Sequence, residues 1–350
     1  HAPCPRTGSR LRKRYARSVV DPSVPAEVVA LADERAAARA SRDYRTADEL
    51  KARIEAAGWK VVDFGVAYEL EPARPADVID GERTLYGSVE SVPSRLDEPA
   101  SAAASAIVMA TDGPSTVTCL EALAATAPAG TQVIVVHGPE AAVDGPADEV
   151  VATAVPFEAA DALNAGLRRS TGAVVIVLEP ALRPTSDVVT PTVEALADPT
   201  VAIVAAEGLC SADLHRYRPA DAGDATTVGS GCYGFRRADV AERGPIDGRL
   251  RLRASVAAWL GLLLRDEGPG ARPRRAVVVD LPLQPPGSEA PVPAEHARLA
   301  RRDGYRIADR FRDHDWLASK DPPEGRLVGD GADDGKDHDD PDERGHAAKA

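Results

Sequence analysis

Four short apolar runs punctuate the centre of the chain: AIVMAT (106–111), QVIVVH (132–137), AVVIVL (173–178) and TVAIVAA (200–206). Each is bounded by polar or turn-forming residues, as expected of parallel strands buried on both faces. Between them lie the amphipathic stretches VTCLEALAAT (117–126), FEAADALNAGLRRSTG (157–172) and Asp187–Ala197. Strand and helix therefore alternate from 106 to 206. That pattern predicts an α/β fold, an open and mostly parallel sheet with right-handed crossovers and helices on both faces. Further on, ASVAAWLGLLL (254–264) is apolar all round and predicts a core helix. A helical extension is expected over about 293–318.

The N-terminal part follows a different period. In 25–57, Val28, Leu31, Arg35 and Ala38 fall at helical spacing, with Pro25 suited to a first turn. The pattern breaks at Ser41–Asp43 and restarts with Tyr44, Ala47, Leu50 and Ile54 on one face. Gly58 suits a C-cap. Two short helices packed as a hairpin are expected, followed by the strand WKVVDF and a second strand near AYEL. Residues 71–104, rich in Pro, Ala, Ser and charge, read as a linker with one short extended piece at TLYGSVESV.

Composition narrows the class without changing this picture. The 350 residues allow two domains or one large domain with appendages, and 44% hydrophobic with 28% charged residues fits a soluble globular protein. No apolar run approaches the roughly 20 residues of a membrane span. No charged n-region precedes an apolar h-region, so no signal peptide is expected. The chain opens on His1, so its natural start can lie upstream. Cys4, Cys119, Cys210 and Cys232 form no C-x-x-C pair, which argues against a zinc site or a disulfide framework and for a reduced, cytoplasmic setting. The net charge of −13 disfavours general nucleic-acid binding. The charge is uneven, however. Arg6, Arg10, Arg12, Lys13, Arg14 and Arg17 make a basic arm over 1–24, and Asp330–Glu343 is strongly acidic. Both ends read as solvated, disordered tails, the second from about 319 onward.

The N-terminal helices carry a resemblance. Glu34, Arg35, Ala38, Arg39, Asp43, Tyr44, Ala47, Asp48, Leu50, Ile54, Gly58 and Asp63 match a spaced pattern in the C-terminal helical module of cysteinyl-tRNA synthetases. The resemblance spans about 25–70. No HIGH-like or KMSKS-like sequence and no zinc-ligand set accompanies it, so synthetase activity is excluded. Two readings of the module stay open: a unit that contacts tRNA, or a scaffold that packs against a protein partner.

In an open α/β sheet, ligands bind outside the carboxyl ends of the strands. Three strand ends therefore matter: Thr111-Asp112, His137-Gly138 and Glu179-Pro180-Ala181. The ordered segments ATDGPSTVTCLEAL, VIVVHGPE, LNAGLRRSTG, VIVLEPALRP and GCYGFRRADVAERGPID resemble the GT-A domain of glycosyltransferase family 2 over about 106–285. The resemblance implies a nucleotide-diphospho-sugar site, with Mn or Mg held by carboxylates against the diphosphate and a carboxylate base for the acceptor hydroxyl.

The ligand-binding candidates it implies are Thr111, Asp112, His137, Asn164, Gly166, Glu179, Arg236 and Arg237, with Glu179 the one metal-ligand candidate. Each has a structural reading beside the functional one. Asp112 can simply cap a helix, Asn164 and Gly166 can close a helix on the sheet, and Arg236-Arg237 can be ordinary helix-entry residues. The family's acidic positions are also depleted. His137-Gly138 stands where it has an Asp, Ala181 where it has the last Asp of its metal motif, and Val256-Ala257 where it has the base. The expectation is a glycosyltransferase-like protein, diverged or catalytically impaired, that can still bind a nucleotide-sugar. The alternative is a non-catalytic binding or scaffold protein.

Overall fold

A computed structural model describes residues 24–64, 67–73, 75–141, 143–285 and 294–319. The basic arm up to residue 23 and the acidic stretch beyond 319 lie outside the described residues. Two compact units divide the chain, 1–78 and 79–350.

The first unit holds α1 (Ala26–Ala40), α2 (Tyr44–Ala56), β1 (Trp59–Phe64) and β2 (Ala67–Pro72). Asp43 accepts a hydrogen bond from the Thr46 amide and caps α2. Gly58, at φ +81°, takes the left-handed conformation that ends α2. β1 and β2 pair antiparallel. Val28, Ala32, Ile54, Val61 and Tyr68 form the core, whereas Tyr44, expected on the inner face of α2, is 61% exposed. Arg35 is buried in the hairpin and donates to both carboxylate oxygens of Asp63 at 2.9 Å. That hydrogen bond holds the Asp63 carboxyl below the usual carboxylate range against a smaller burial penalty.

A small hairpin, β3 (Val78–Asp80) and β4 (Arg83–Leu85), starts at the unit boundary. Then come β5 (Ala102–Met109), α3 (Gly113–Thr126), β6 (Gln132–His137), β7 (Glu149–Ala152), α4 (Ala159–Arg169), β8 (Gly172–Leu178), β9 (Arg183–Pro184) and α5 (Val189–Ala195). The chain continues through β10 (Val201–Ala205), β11 (Gly208–Cys210), β12 (Arg218–Ala220), β13 (Gly223–Ala225), β14 (Thr227–Val228), β15 (Cys232–Arg236) and α6 (Arg237–Arg243). It closes with α7 (Arg253–Arg265), β16 (Arg275–Val278), β17 (Leu283–Gln284) and α8 (Ala294–Arg310).

The main sheet runs β13-β16-β10-β15-β8-β5-β6-β7. β5, β6, β7 and β8 are mutually parallel, and β10 is parallel to β16. β15 runs against both its neighbours, and β13 against β16. The architecture is thus a mixed α/β fold with a large, mainly parallel sheet. Its central strands are buried on both faces, as their unbroken apolar sequence requires. Ile107, Val136, Val175 and Val177 face one core with α4 and α7. Val108, Val135, Val174 and Ile176 face the other with α3 and α5.

Two expectations need correction. Residues 79–101 are not a free linker. Tyr86 bridges to Thr153 beside β7, Val92 is fully buried, and the Val92 and Pro93 carbonyls accept from Arg168 and Arg169. GCYGFR also supplies a strand, β15, wedged antiparallel into the sheet, where no strand was expected. The arrangement of β5 fixes the position of the site. From β5 the chain moves outward to β6 and β7, then returns to β8 on the other side of β5. The strand order reverses there, and such a switch point opens a crevice at the carboxyl ends.

Candidate functional site

The crevice is a cavity of about 440 Å³. Met109 and Ala110 come from the end of β5, His137 and Gly138 from β6, and Glu179 from β8. Phe157 and Glu158 lead into α4, Arg251 and Arg253 stand at the start of α7, and His296 comes from α8.

Glu179 is the centre of the charge arrangement. Arg253 Nη1 donates to its Oε2 at 2.5 Å, and Arg253 Nη2 donates to the Met109 carbonyl at 2.7 Å. One guanidinium therefore bridges the ends of β5 and β8. Burial pushes the Glu179 carboxyl up, and Arg253 opposes that rise. A second pair sits nearby, Arg251 on Glu158 at 2.7 Å. The backbone carrying both arginines is held from α8. Asp303, fully buried, accepts from the amides of Arg251 at 2.9 Å and Leu252 at 3.0 Å. Beneath the Glu179 turn, the buried Cys119 thiol points at the Glu179 carbonyl, and burial pushes that thiol up to about 12.

Of the sequence candidates, His137 and Glu179 line the cavity together. His137 is 8% exposed, and its Nδ1 lies 3.0 Å from the Gly138 carbonyl. Asp112 caps α3, accepting from the Ser115 amide at 2.8 Å, and that bond lowers its carboxyl. Thr111 is exposed and donates to Asp112. Neither lines the cavity. Asn164 is buried and clamps Ile246, donating to its carbonyl and accepting from its amide. Gly166 lets α4 approach the sheet, since a Cβ there would meet Ile107 at 2.7 Å.

Arg236 and Arg237 lie toward the opposite, amino end of the sheet. Arg236 donates to the carbonyls of Leu196, Asp198 and Val201, and Arg237 to those of Arg95, Glu98 and Ser170. Both guanidinium groups are committed to backbone and tie the fold. Val256 and Ala257, at the family's base position, are fully buried.

The residues present do not fit a divalent cation. Glu179 gives one carboxylate, already paired with Arg253, and the other cavity carboxylate, Glu158, is paired with Arg251. Among the described residues no cluster of three His, Cys, Asp or Glu side chains could hold a metal. What the cavity does offer is two guanidinium groups, two imidazoles and an apolar wall, a set suited to an anionic ligand with an aromatic or sugar portion. Sequence reasoning missed Arg251, Arg253 and Asp303. The signal was the alternation Arg249-Leu250-Arg251-Leu252-Arg253 immediately before an apolar helix.

No family profile matches the chain. Over 51 residues it is 53% identical to a cysteine–tRNA ligase of Opitutus terrae, a match covering 15% of this chain and 11% of the ligase. The chain therefore spans about a tenth of that relative's length. Three solved structures illustrate the likeness in fold. GalNAc-T7 with UDP, GalNAc and Mn2+ has TM-score 0.43 and 11% identity, covering 59% of this chain and 48% of that one. A mannosyltransferase of Pyrobaculum calidifontis with GDP-Man and Mn2+ has TM-score 0.42 and 17% identity, covering 67% and 68%. TarS of S. aureus has TM-score 0.40 and 12% identity, covering 59% and 65%. Among the described residues no helix is long and apolar enough to cross a membrane.

Proposed function

We propose that the second unit is a glycosyltransferase family 2-like domain that binds a nucleoside diphosphate or nucleotide-sugar without a metal, and that metal-dependent transfer is weak or absent. The observation that carries this is the Arg253 guanidinium on Glu179 at 2.5 Å, inside the switch-point cavity. Glu179 offers Mn2+ a single carboxylate that competes with Arg253, with no second acidic ligand beside it among the described residues, whereas a guanidinium can take a diphosphate with bidentate geometry. The nonpolar residues at 256–257 supply no general base.

The test is calorimetric titration and thermal shift with nucleoside diphosphates and their sugars, with and without Mn2+. Binding independent of Mn2+ is expected, and a ligand that binds only the folded state raises the melting temperature. Mn2+-dependent sugar transfer that Glu179→Ala abolishes would overturn the proposal.

A second reading is favoured by the 51-residue ligase match. In it the first unit, with the basic arm, contacts tRNA or a protein partner while the cavity stays non-catalytic. A gel shift of bulk tRNA by the full chain supports its tRNA form, and no shift at low salt sinks it.

A further inference from the structure

The outward face of α8 bears a charge pattern that the cavity does not use. Arg298, Arg301, Arg302, Tyr305 and Arg306 line one open groove along that helix. Arg302 and Arg306 stand at i,i+4, a spacing at which like charges weaken a helix. Arg301 and Arg302 are exposed and have no ion pair among the described residues. Two carboxylates lie near Arg306: Asp303 is turned inward, where its Oδ2 serves the amides at the start of α7, and Asp247 is paired with Arg249. Arg306 approaches Asp303 only at 3.8 Å. Burial pushes the Arg306 guanidinium down, and the neighbouring Arg302 and Arg249 add to that. Arg301 and Arg302 thus form an exposed cationic patch on a chain of net charge −13, a patch complementary to an anionic ligand.

That ligand is not a bilayer. Ile307 and Ala308 on the apolar side of α8, and Phe311 just past its end, are buried in the unit, so no apolar stripe is left to enter a membrane. The complementary charge is in the chain itself. Residues 330–343 hold eight acidic side chains and one lysine. Their first residue follows Ser319, the last described residue, by 11 positions, and 11 extended residues reach about 36 Å. The whole of α8, at 17 residues, is about 26 Å long. Tethering at that range gives a roughly millimolar local concentration, which no free polyanion easily matches.

We propose that the acidic segment 330–343 docks on the arginine face of α8 within the same chain. It covers Arg301, Arg302 and Tyr305 electrostatically, and salt loosens it as the Debye length shortens.

The experiment uses the full chain and a fluorescent (dT)20 probe at low salt. The unaltered protein is expected to bind the probe weakly. A full-length variant with Asp333→Asn, Asp334→Asn, Asp337→Asn, Asp339→Asn, Asp340→Asn and Asp342→Asn is expected to bind at least ten-fold more tightly. Adding Arg301→Gln and Arg302→Gln should erase that gain. Equal binding with and without the six substitutions would overturn the proposal, and so would a gain that survives loss of both arginines. A photo-crosslinking benzoylphenylalanine in place of Tyr305 gives the independent readout. Monomeric adducts to peptides within 330–343 are expected, whereas adducts to a second copy of the chain, rising with concentration, would refute intramolecular docking.

Discussion

Arginines guard both ends of the main sheet, and the two ends use them in opposite ways. At the amino end, Arg236 and Arg237 donate to six backbone carbonyls between them. At the carboxyl end, Arg251 and Arg253 face a cavity and rest on the carboxylates of Glu158 and Glu179, with Arg253 keeping one nitrogen on the Met109 carbonyl and the other on the exchangeable carboxylate. A carbonyl held in the fold cannot follow its donor, so the first pair is fixed. A guanidinium on a side-chain carboxylate can exchange that partner for a phosphate of similar geometry. Residue type alone does not say which kind an arginine is; its acceptors do.

The comparison breaks first at Arg237. Arg237→Met strands three carbonyls in a site 6% exposed, and a loss of about 3 kcal/mol is expected in denaturant unfolding, with ligand affinity of the folded protein unchanged. Arg253→Met gives the next effect, about 2 kcal/mol at pH 8, because Glu179 is left half-buried and unpaired. The sign with pH follows from the raised folded-state pKa. Stability from such a group is full below its unfolded value and is lost as pH rises through the folded one. Without Arg253 the rise is larger, so the deficit against the unaltered protein should shrink as pH falls toward about 5. Melting curves across pH check this, and a deficit constant with pH would refute the pairing. The smallest effect sharpens the contrast from a third position. Asp112→Ala should cost about 1 kcal/mol by uncapping α3 and leave nucleotide binding intact, since Asp112 stands outside the cavity.

Much of this scaffold was legible in the chain, and the reason is periodicity. Residues 106–109, 133–136, 173–178 and 201–205 are apolar without interruption, and all lie in parallel strands of the sheet. β15 escaped notice because CYGFR carries no such run, and its strand character comes from β8 and β10 on either side. The hairpin β3–β4 and the buried Val92 were hidden in a segment whose Pro and Ser content suggested a linker. In the cavity, Glu179 and His137 were visible because strand ends can be read from local pattern. Arg253 was not, because its partner lies 74 residues away in sequence. Asp303 was hidden for the same reason, with α8 reaching back 52 residues to the amide of Arg251.

The thiol under the Glu179 turn has a consequence of another kind. With its proton held until about pH 12, Cys119 presents only about one thiolate in ten thousand at pH 8. Cys232, equally enclosed, is pushed up to about 12 as well. Alkylating and oxidising reagents act on thiolates that solvent can reach, so neither sulfur is a handle for redox control while the sheet stays closed. Their modification would mark the moment the floor of the crevice opens, which makes these two cysteines a clock for local unfolding beneath the cavity.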